Sequence, residues 1–522
     1  MSNKMSASTG VNRAKPWQML FFSFNNGSTN CYFVLIMNYL IYHANGVLGL
    51  ALVFATLIVT IMRIMDAVTD PIIGAWIDKA NTKFGKFRPF MIFGNIILAL
   101  SALIMFFGTR LIPESMMALR YILFVLFYAI FVIGYTFQTS CTRGGQTCIT
   151  NDPKQRPLFN IFNTIASLLG MGLIMAVSSL WGAKVGFGTE EFFNLVVPMV
   201  IIISIILMIF AVIGISEKDR PEFYGMSNEK QKFRIRDYLD IIKHNKNLNM
   251  LIIAAAGSKL ASTIAQNSAV SIMLFACMMG NFNGLYLPFY ILGFLGAVPF
   301  FILNLKISQK HGQRQGMITC NTIALLMYTV VFVLLVIWQP GSALTQLSFT
   351  NINLYTVLFV ICYMIGFGSY YTTADMAIPM VADCSDYEVY RSGMYAPGMV
   401  GTLLSFSDKL VSSLSSTIVG IVILVVLKMK TLPDVNTPYV EGLNTVVIIL
   451  FCVLPMIAWI ISLIAMKFYT LTGERMKEIQ IINSARKNAI ADGMSSVEAM
   501  KKYKTIEQVD LSQIHLKKST DC

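Results

Sequence analysis

The amino-acid sequence predicts an all-α membrane protein whose chain crosses the bilayer about twelve times. Three observations carry this. Only 13% of the 522 residues are charged, against about 25% in a soluble domain. Hydrophobic residues make up 56%, and they gather in apolar runs of about 20 residues, the length that spans hydrocarbon as a helix. The runs do not alternate polar with apolar over about 10 residues, as strands of a membrane barrel do.

The spans fall near 18–43, 48–77, 89–109, 120–142, 158–181, 194–215, 249–279, 284–304, 315–338, 353–382, 397–427 and 443–469. Residues 1–16 are polar, and the first apolar run follows without a small-residue cleavage site, so that run is expected to stay as a span. An even number of spans puts both termini on one side. The loops on that side hold Lys79, Lys83, Lys86, Arg88, Arg143, Lys154, Arg156, Lys306, Lys310, Arg314 and Arg391, besides the many basic residues of the central loop. The opposite loops hold only Arg110, Arg120, Lys184, Lys428 and Lys430. The positive-inside rule therefore predicts an integral inner-membrane protein with both termini in the cytoplasm. The formal charge of +13 reads as topology signalling, and no nucleic-acid partner is expected. The nine Cys residues are scattered singly, which suggests neither a zinc site nor a disulfide framework.

The longest connection, 217–248, is polar and basic and separates six spans (1–216) from six (249–470). Such a division suits a transporter built from two six-helix halves. A sequence echo supports it. Gly74-x3-Asp78-Lys79-x5-Gly85-Lys86-Phe87-Arg88 follows span two, and Lys306-x3-Lys310-His311-Gly312-Gln313-Arg314 follows span eight. Residues 471–522 are charged and lack a span; Glu474-Arg475-Met476-Lys477-Glu478-Ile479 could start a short helix on the membrane surface, and a solvated cytoplasmic tail is the favoured reading.

An ionisable residue at the centre of a spanning helix costs about 2.5–3.5 kcal/mol on insertion scales, so those that remain are functional candidates. Span two contains Arg63, Asp66, Thr69 and Asp70, followed by Pro71. Asp66 and Asp70 stand at i, i+4 on one helix face, with Arg63 a turn earlier. Pro71 donates no backbone hydrogen bond and so releases the carbonyl of Ala67. Two carboxylates, a hydroxyl and a spare carbonyl suit a small hard cation or a proton; a buried Arg63–Asp salt bridge is the structural alternative. Span eleven carries Asp408 and Lys409, and Lys409 is an expected partner of the span-two acids when the cation has left. Asn26 and Asn30 share a face of span one; Thr139 and Arg143 end span four. These four, with Tyr371 on span ten, are candidate solute contacts. Arg143 serves equally as an interfacial residue whose head reaches toward water. Asp383, Asp386 and Arg391 are expected at the cytoplasmic mouth as a salt-bridged gate or as a solvated loop.

Arg63-Ile-Met-Asp66-Ala-Val-Thr69-Asp70-Pro71-Ile-Ile-Gly74, then Gly85-Lys86-Phe87-Arg88-Pro89, resembles the melibiose-permease-like glycoside–pentoside–hexuronide:cation symporters of the major facilitator superfamily. Ala382-Asp383-x2-Asp386-Tyr387 with Lys409 downstream, and Leu471-Thr472-Gly473-Glu474-Arg475-Met476, extend the resemblance over most of the membrane region. It implies a major-facilitator fold and uptake driven by Na+ or H+. It also implies a cation site at Asp66 and Asp70, with Thr69 in place of a frequent Asn and Thr136 on span four. Arg63 and Lys409 would couple cation to solute. Where the family pattern has acids on spans one and four, this chain has Asn30 and Thr139; an aromatic residue is replaced by Arg143, and an Arg by Asn163. Those departures favour a neutral or anionic solute.

The expected function is thus symport of a sugar, glycoside or uronide by alternating access, with a coupling ion and no cofactor. The expected partners are the small solute and membrane lipid, and the protein is expected to act as a monomer. A carrier of another solute, such as a lysophospholipid, is the alternative; a non-transporting receptor would have no need of paired buried acids. No phosphate-binding Gly-rich loop and no reaction chemistry is present, so neither an ATP-driven pump nor an enzyme is expected.

Overall fold

The computed structural model describes residues 13–80, 82–150, 156–220, 235–373, 376–393 and 397–509. Lys154, Asp375 and residues 221–234 of the central loop lie outside this set. Among the described residues there are helices and no strands. Eleven helices among the described residues are long and apolar enough to cross a membrane. The first expected span falls outside that number because Asn25, Asn26, Ser28, Thr29 and Asn30 dilute its apolar character, yet it is helical. It runs as α1 (Pro16–Val34), a π-helical turn (Leu35–Tyr39), α2 (Leu40–Tyr42) and a second π-helical turn (His43–Val47).

α3 (Leu52–Lys79) continues through Pro71 without a break. α4 (Arg88–Phe106), α5 (Met117–Ile149), α6 (Arg156–Val185) and α7 (Glu190–Ile215) complete the first half. α8 (Ile235–His244) lies in the central connection. The seventh span is interrupted: α9 (Lys246–Ala265) ends, and Asn267 caps α10 (Ser268–Ile272), which passes into a π-helical stretch to Met278. α11 (Phe282–His311), α12 (Gln313–Ile337) and α13 (Leu354–Thr373) follow. The run expected as one long span ten is split, with α14 (Ala377–Ser392) a separate helix. α15 (Pro397–Leu427), α16 (Leu443–Ile448) and α17 (Leu454–Phe468) end the spans. α18 (Gly473–Ala491) and α19 (Ser496–Lys502) follow.

The chain forms two compact units. One comprises Met1–Lys230, Gln266–Leu287 and Ser413–Val447; the other comprises Gln231–Ala265, Pro288–Ser412 and Ile448–Cys522. The units therefore differ from a plain division at the central loop. In the first, α1 packs on α6 and α7, and α5 on α3 and α4. Helices in lipid approach most closely where small residues meet. Gly27 of α1 shows this, since a Cβ there would sit 2.7 Å from the carbonyl oxygen of Ala166. Residues 413–447 belong here through specific bonds. Asp434 accepts from the N–H groups of Phe187 and Gly188 at 2.9 and 3.1 Å, and the Tyr42 hydroxyl donates to the Pro433 carbonyl at 3.0 Å.

The Gly85 loop also closes within this unit. Gly85 has φ +100°, and buried Asp219, just beyond α7, accepts from the backbone N–H groups of Lys86, Phe87 and Arg88. These are the orphan donors of the α4 N-terminus, satisfied by an acid where the helix dipole favours one. In the second unit α9 packs on α17, and α12 on α13 and α17. Gly312, φ +89°, stands against the backbone of Gly473 just beyond α17. The sequence echo thus has a counterpart in both units.

Residues 471–509 of the tail are folded rather than solvated, and a helix does start at Gly473; residues 510–522 lie outside the described residues. α18 and α19 form, and α18 packs on α14. Arg475 and Arg486 lie over the Tyr390 ring at 5.5 and 5.0 Å, and Arg486 also donates to the carbonyls of Tyr390 and Tyr503. Asn483 donates to the Asp386 carbonyl at 2.9 Å. Apolar residues repeated along the tail, Met476, Ile479 and Ile482, are buried. They give it a docking face that its charge content obscured.

Candidate functional site

α3 has two contrasting faces. Ile61, Ile64, Val68, Ile72 and Trp76 recur at helical spacing and are exposed, an apolar stripe of the kind hydrocarbon covers. Arg63 and Asp66 are buried on another face, at 7% and 1% exposure. The acids are therefore held inward by the same periodicity that makes the lipid face.

Asp66 sits in a cluster of oxygens. The Thr136 hydroxyl, from α5, donates to Asp66 Oδ1 at 2.9 Å. The Thr69 hydroxyl lies 3.0 Å from that of Thr136 and donates to the Asp66 carbonyl at 3.0 Å. Asp66 Oδ2 lies 3.3 Å from Arg63 Nη1. The structural alternative for Arg63 is thus realised, and it coexists with the oxygen cluster instead of replacing it. The Arg63 guanidinium is further held over the rings of Phe33 and Tyr135, at 5.1 and 5.6 Å. Such contacts stabilise a cation by about 0.5–2 kcal/mol, more when dry.

A small pocket opens beside these residues, lined by Tyr32, Phe33, Ile36, Met37, Arg63, Asp66, Tyr128, Phe131, Val132 and Tyr135. Apolar walls with a few charged groups are what a small-molecule site requires. Tyr32, Phe33 and Tyr128 were not singled out from the sequence, because an aromatic residue in an apolar span has no local signal that separates cavity wall from packing.

Asp70 takes a different partner from Asp66. Arg143 Nη1 of α5 lies 3.4 Å from Asp70 Oδ2. Thr139 donates to the Thr136 carbonyl at 3.2 Å. On α1, Asn30 turns back to Asn26, donating to its carbonyl and side-chain oxygens at 2.8 and 3.0 Å. Asn26 in turn donates to the Asn163 carbonyl at 3.4 Å. Thus Arg63, Asp66, Thr69, Asp70, Thr136 and Arg143 come together on α3 and α5, while Asn26 and Asn30 bond toward each other and α6.

The remaining candidates belong to the second unit. Lys409 is buried on α15. Its neighbour Asp408 pairs with Lys259 of α9 at 3.1 Å. Tyr371 packs among aromatic rings, 4.9 Å from Phe294 and stacked 5.6 Å from Phe367. On α14 the ion pairs centre on Glu388 rather than on Asp383 and Asp386. Buried Glu388 receives Arg391 at 2.7 Å, Asn245 at 3.0 Å and Ser392 at 2.7 Å. Arg391 also reaches Asp240 of α8 at 3.7 Å. α14 lies outside the candidate spans. There burial, helped by the neighbouring Asp386, pushes Asp383 up to about 6. Burial also raises Asp386, against a hydrogen bond from Gln480. The alternation of Asp383, Asp386 and Glu388 in sequence could not show which acid would be the buried one.

Apolar spanning helices with buried Arg63 and Asp66 beside a mostly apolar pocket are the build of a multi-pass membrane transporter. The chain belongs to the MFS/sugar transport protein family, whose profile matches residues 27–473. It is 22% identical over 482 residues to the isoprimeverose transporter of Lactiplantibacillus pentosus, covering 91% of this chain and 94% of that one. It is 24% identical over 492 residues to the glucuronide carrier protein homolog of Escherichia coli, covering 91% and 97%. Among solved structures it is similar to the nucleoside transporter NupG (TM-score 0.57, 13% identity, 87% of this chain and 99% of that one), a likeness of fold. The chain is a transporter of the major facilitator superfamily and not an enzyme.

Proposed function

We propose that this transporter carries a sugar, glycoside or uronide inward with Na+ or H+ by alternating access, as a monomer in the inner membrane with both termini in the cytoplasm. The observation that carries the coupling is the buried oxygen cluster of Asp66, Thr69 and Thr136, with Asp70 one turn further along α3. Convergent oxygens and two carboxylates suit a singly charged cation. The aromatic side chains Phe33, Tyr128 and Tyr135 beside it are of the kind that stack on the apolar face of a sugar ring. Relatives named for isoprimeverose and for glucuronides support the same class of solute. Lys409 is the coupling residue assigned to the second unit. Asp383, Asp386 and Arg391, with Glu388, form the cytoplasmic gate region on α14. By linkage, solute must tighten cation binding by the factor with which the cation tightens solute binding.

Uptake into membrane vesicles, with Na+ and pH gradients imposed separately, tests this with a panel of glycosides and uronides. Accumulation of at least one of them should follow one gradient and vanish in Asp66→Asn. Uptake indifferent to both gradients, or retained in Asp66→Asn, refutes the coupled reading.

A further inference from the structure

At the span ends remote from the central loop, segments from the two halves of the sequence are bonded to each other within the first compact unit. Three seams join them. Between α3 and α15, Thr417 donates to the Thr56 carbonyl at 3.0 Å and lies 2.9 Å from the Thr60 hydroxyl. The two helices are so close there that a Cβ on Gly420 would sit 2.6 Å from Thr56 Cγ2. Between the first span and the seventh, Ser268 donates to the Asn38 carbonyl at 2.9 Å. Both of those spans leave α-helical geometry here, through the π-helical stretches Leu35–Tyr39, His43–Val47 and Met273–Met278. Such stretches recur at functional sites in helices.

The third seam carries a charge. Asp434, on the connection between α15 and α16, accepts from the N–H groups of Phe187 and Gly188, one on each carboxylate oxygen. Both sides of this contact are preformed. Asp434 also accepts from the N–H of Val435 at 2.7 Å, and its own N–H donates to the Thr437 hydroxyl at 2.8 Å. On the facing turn between α6 and α7, the Thr189 hydroxyl donates to the Gly186 carbonyl at 3.0 Å. Phe187 is buried, stacked on Tyr39 at 5.8 Å and edge-on to Phe282 at 5.6 Å. The bonds inside each piece are local and survive separation. The two bonds from Phe187 and Gly188 cross between the sequence halves, so they must break whenever the halves part at this end. Charge-assisted bonds are stronger than neutral ones. Water replaces them on opening, so their net strength is modest and the contact can reform in every cycle.

Taking this end as the extracytoplasmic one, which rests on the orientation proposed above, we propose that Asp434 is the latch of the outer gate. It is a positioning residue: it holds the transporter closed on that side and sets how often it opens there. It acts through the population of the outward-open state and not through contact with solute. A site that is open for a fraction of the time binds external solute more weakly by that fraction. A weaker latch therefore raises the apparent affinity for solute from outside.

The test needs neither solute nor gradient. Cys277, whose thiol donates to the Asp434 carbonyl at 3.5 Å, is 6% exposed and serves as a native reporter. A membrane-impermeant maleimide applied to right-side-out vesicles should label it slowly in wild type. When opening and closing are fast against labelling, the rate follows the open population. Asp434→Ala loses both crossing bonds and should raise the initial rate at least about tenfold. Asp434→Asn keeps one acceptor oxygen and should raise it less, and Asn436→Ala, exposed on the same connection, should leave it unchanged. Peptide mapping and Cys277→Ser assign the signal. Fraying of the loop alone would also bare Cys277, so a second reporter, Thr417→Cys in a Cys277→Ser background, reads the α3–α15 seam. Both reporters should speed up together when Asp434→Ala is added. A faster Cys277 with an unchanged Thr417→Cys makes Asp434 a local loop anchor and overturns the proposal, as do unchanged rates at both. If Asp434→Ala melts early, Asp434→Asn decides by the same two reporters. The same reagent applied to inside-out vesicles checks the side: acceleration seen only there leaves the latch standing and fails the assigned orientation.

Discussion

The two units hold the same polar triad and differ in their charges. In the first, buried Asn95 of α4 donates to Ser28 of α1 and Ser204 of α7 at 3.1 and 2.8 Å, and the two serines lie 2.7 Å apart. In the second, buried Asn321 of α12 donates to Ser258 of α9 and Ser462 of α17 at 3.0 and 2.9 Å, with the serines 3.1 Å apart. The helices correspond in order: first, third and sixth span of each half. Nothing in the second unit repeats Arg63, Asp66, Asp70 and Arg143 on one pair of helices, among the described residues; its Asp408 pairs with Lys259 instead. Polar residues in these spans thus serve two ends. The neutral triads bond inward and tie helices together, whereas the charged face borders a pocket and holds one buried and one open ion pair.

The strongest challenge to this division is removal of charge. Asp66→Asn and Asp70→Asn should each abolish concentrative uptake in vesicles, whereas Asp408→Asn in the second unit should retain gradient-driven accumulation. Equal losses from all three would mean that coupling is not confined to the α3–α5 face.

Next in size is Arg63→Ala, which leaves Asp66 buried without its guanidinium. A broken buried pair costs about 3–5 kcal/mol, so the melting temperature should fall well below that of Arg143→Gln, whose pair is exposed. Scanning calorimetry or fluorescence melting of the two purified variants checks the order.

Asn95→Ala and Asn321→Ala should behave alike. Each leaves two serine hydroxyls facing each other and removes interhelical hydrogen bonds, at about 1–2 kcal/mol. Both should melt earlier while keeping the wild-type choice of solute. A changed solute preference in either would show that a triad reaches into transport.

The smallest effect concerns pH. Asp383, on α14, is pushed up to about 6 by burial and by Asp386. An acid whose folded pKa is raised contributes stability that is present below its unfolded value, near 3.9, and lost as pH rises through about 6. Asp386, raised as well, acts in the same sense. Glu388, Arg391, Asp240, Arg475, Arg486, Tyr387, Tyr390 and Tyr469 are other ionisable groups around this helix. Hydrogen exchange across 473–491 should therefore speed up between pH 4 and 7 in wild type, and less so in Asp383→Asn.

The sequence by itself determined the helical membrane class, because a helix satisfies its backbone within one apolar run and hydrocarbon admits little else. It also determined which face of α3 bears the acids, since i, i+3 and i+4 neighbours share a face wherever the helix sits. The resemblance identified Thr136, and the structure sets its hydroxyl on Asp66. What only the tertiary structure decided is which groups from different helices meet. That Arg143 reaches Asp70, that Asp219 caps the Gly85 loop, that Asn95 and Asn321 each gather two serines, and that Tyr390 receives the tail all depend on the depth and rotation at which helices pack. Side-chain volumes and close glycine contacts set those quantities over the whole bundle. No periodicity along one segment records them. Asp66 and Asp70 look equivalent in the chain, one turn apart. The neighbouring helix made one of them a buried site and the other an open pair.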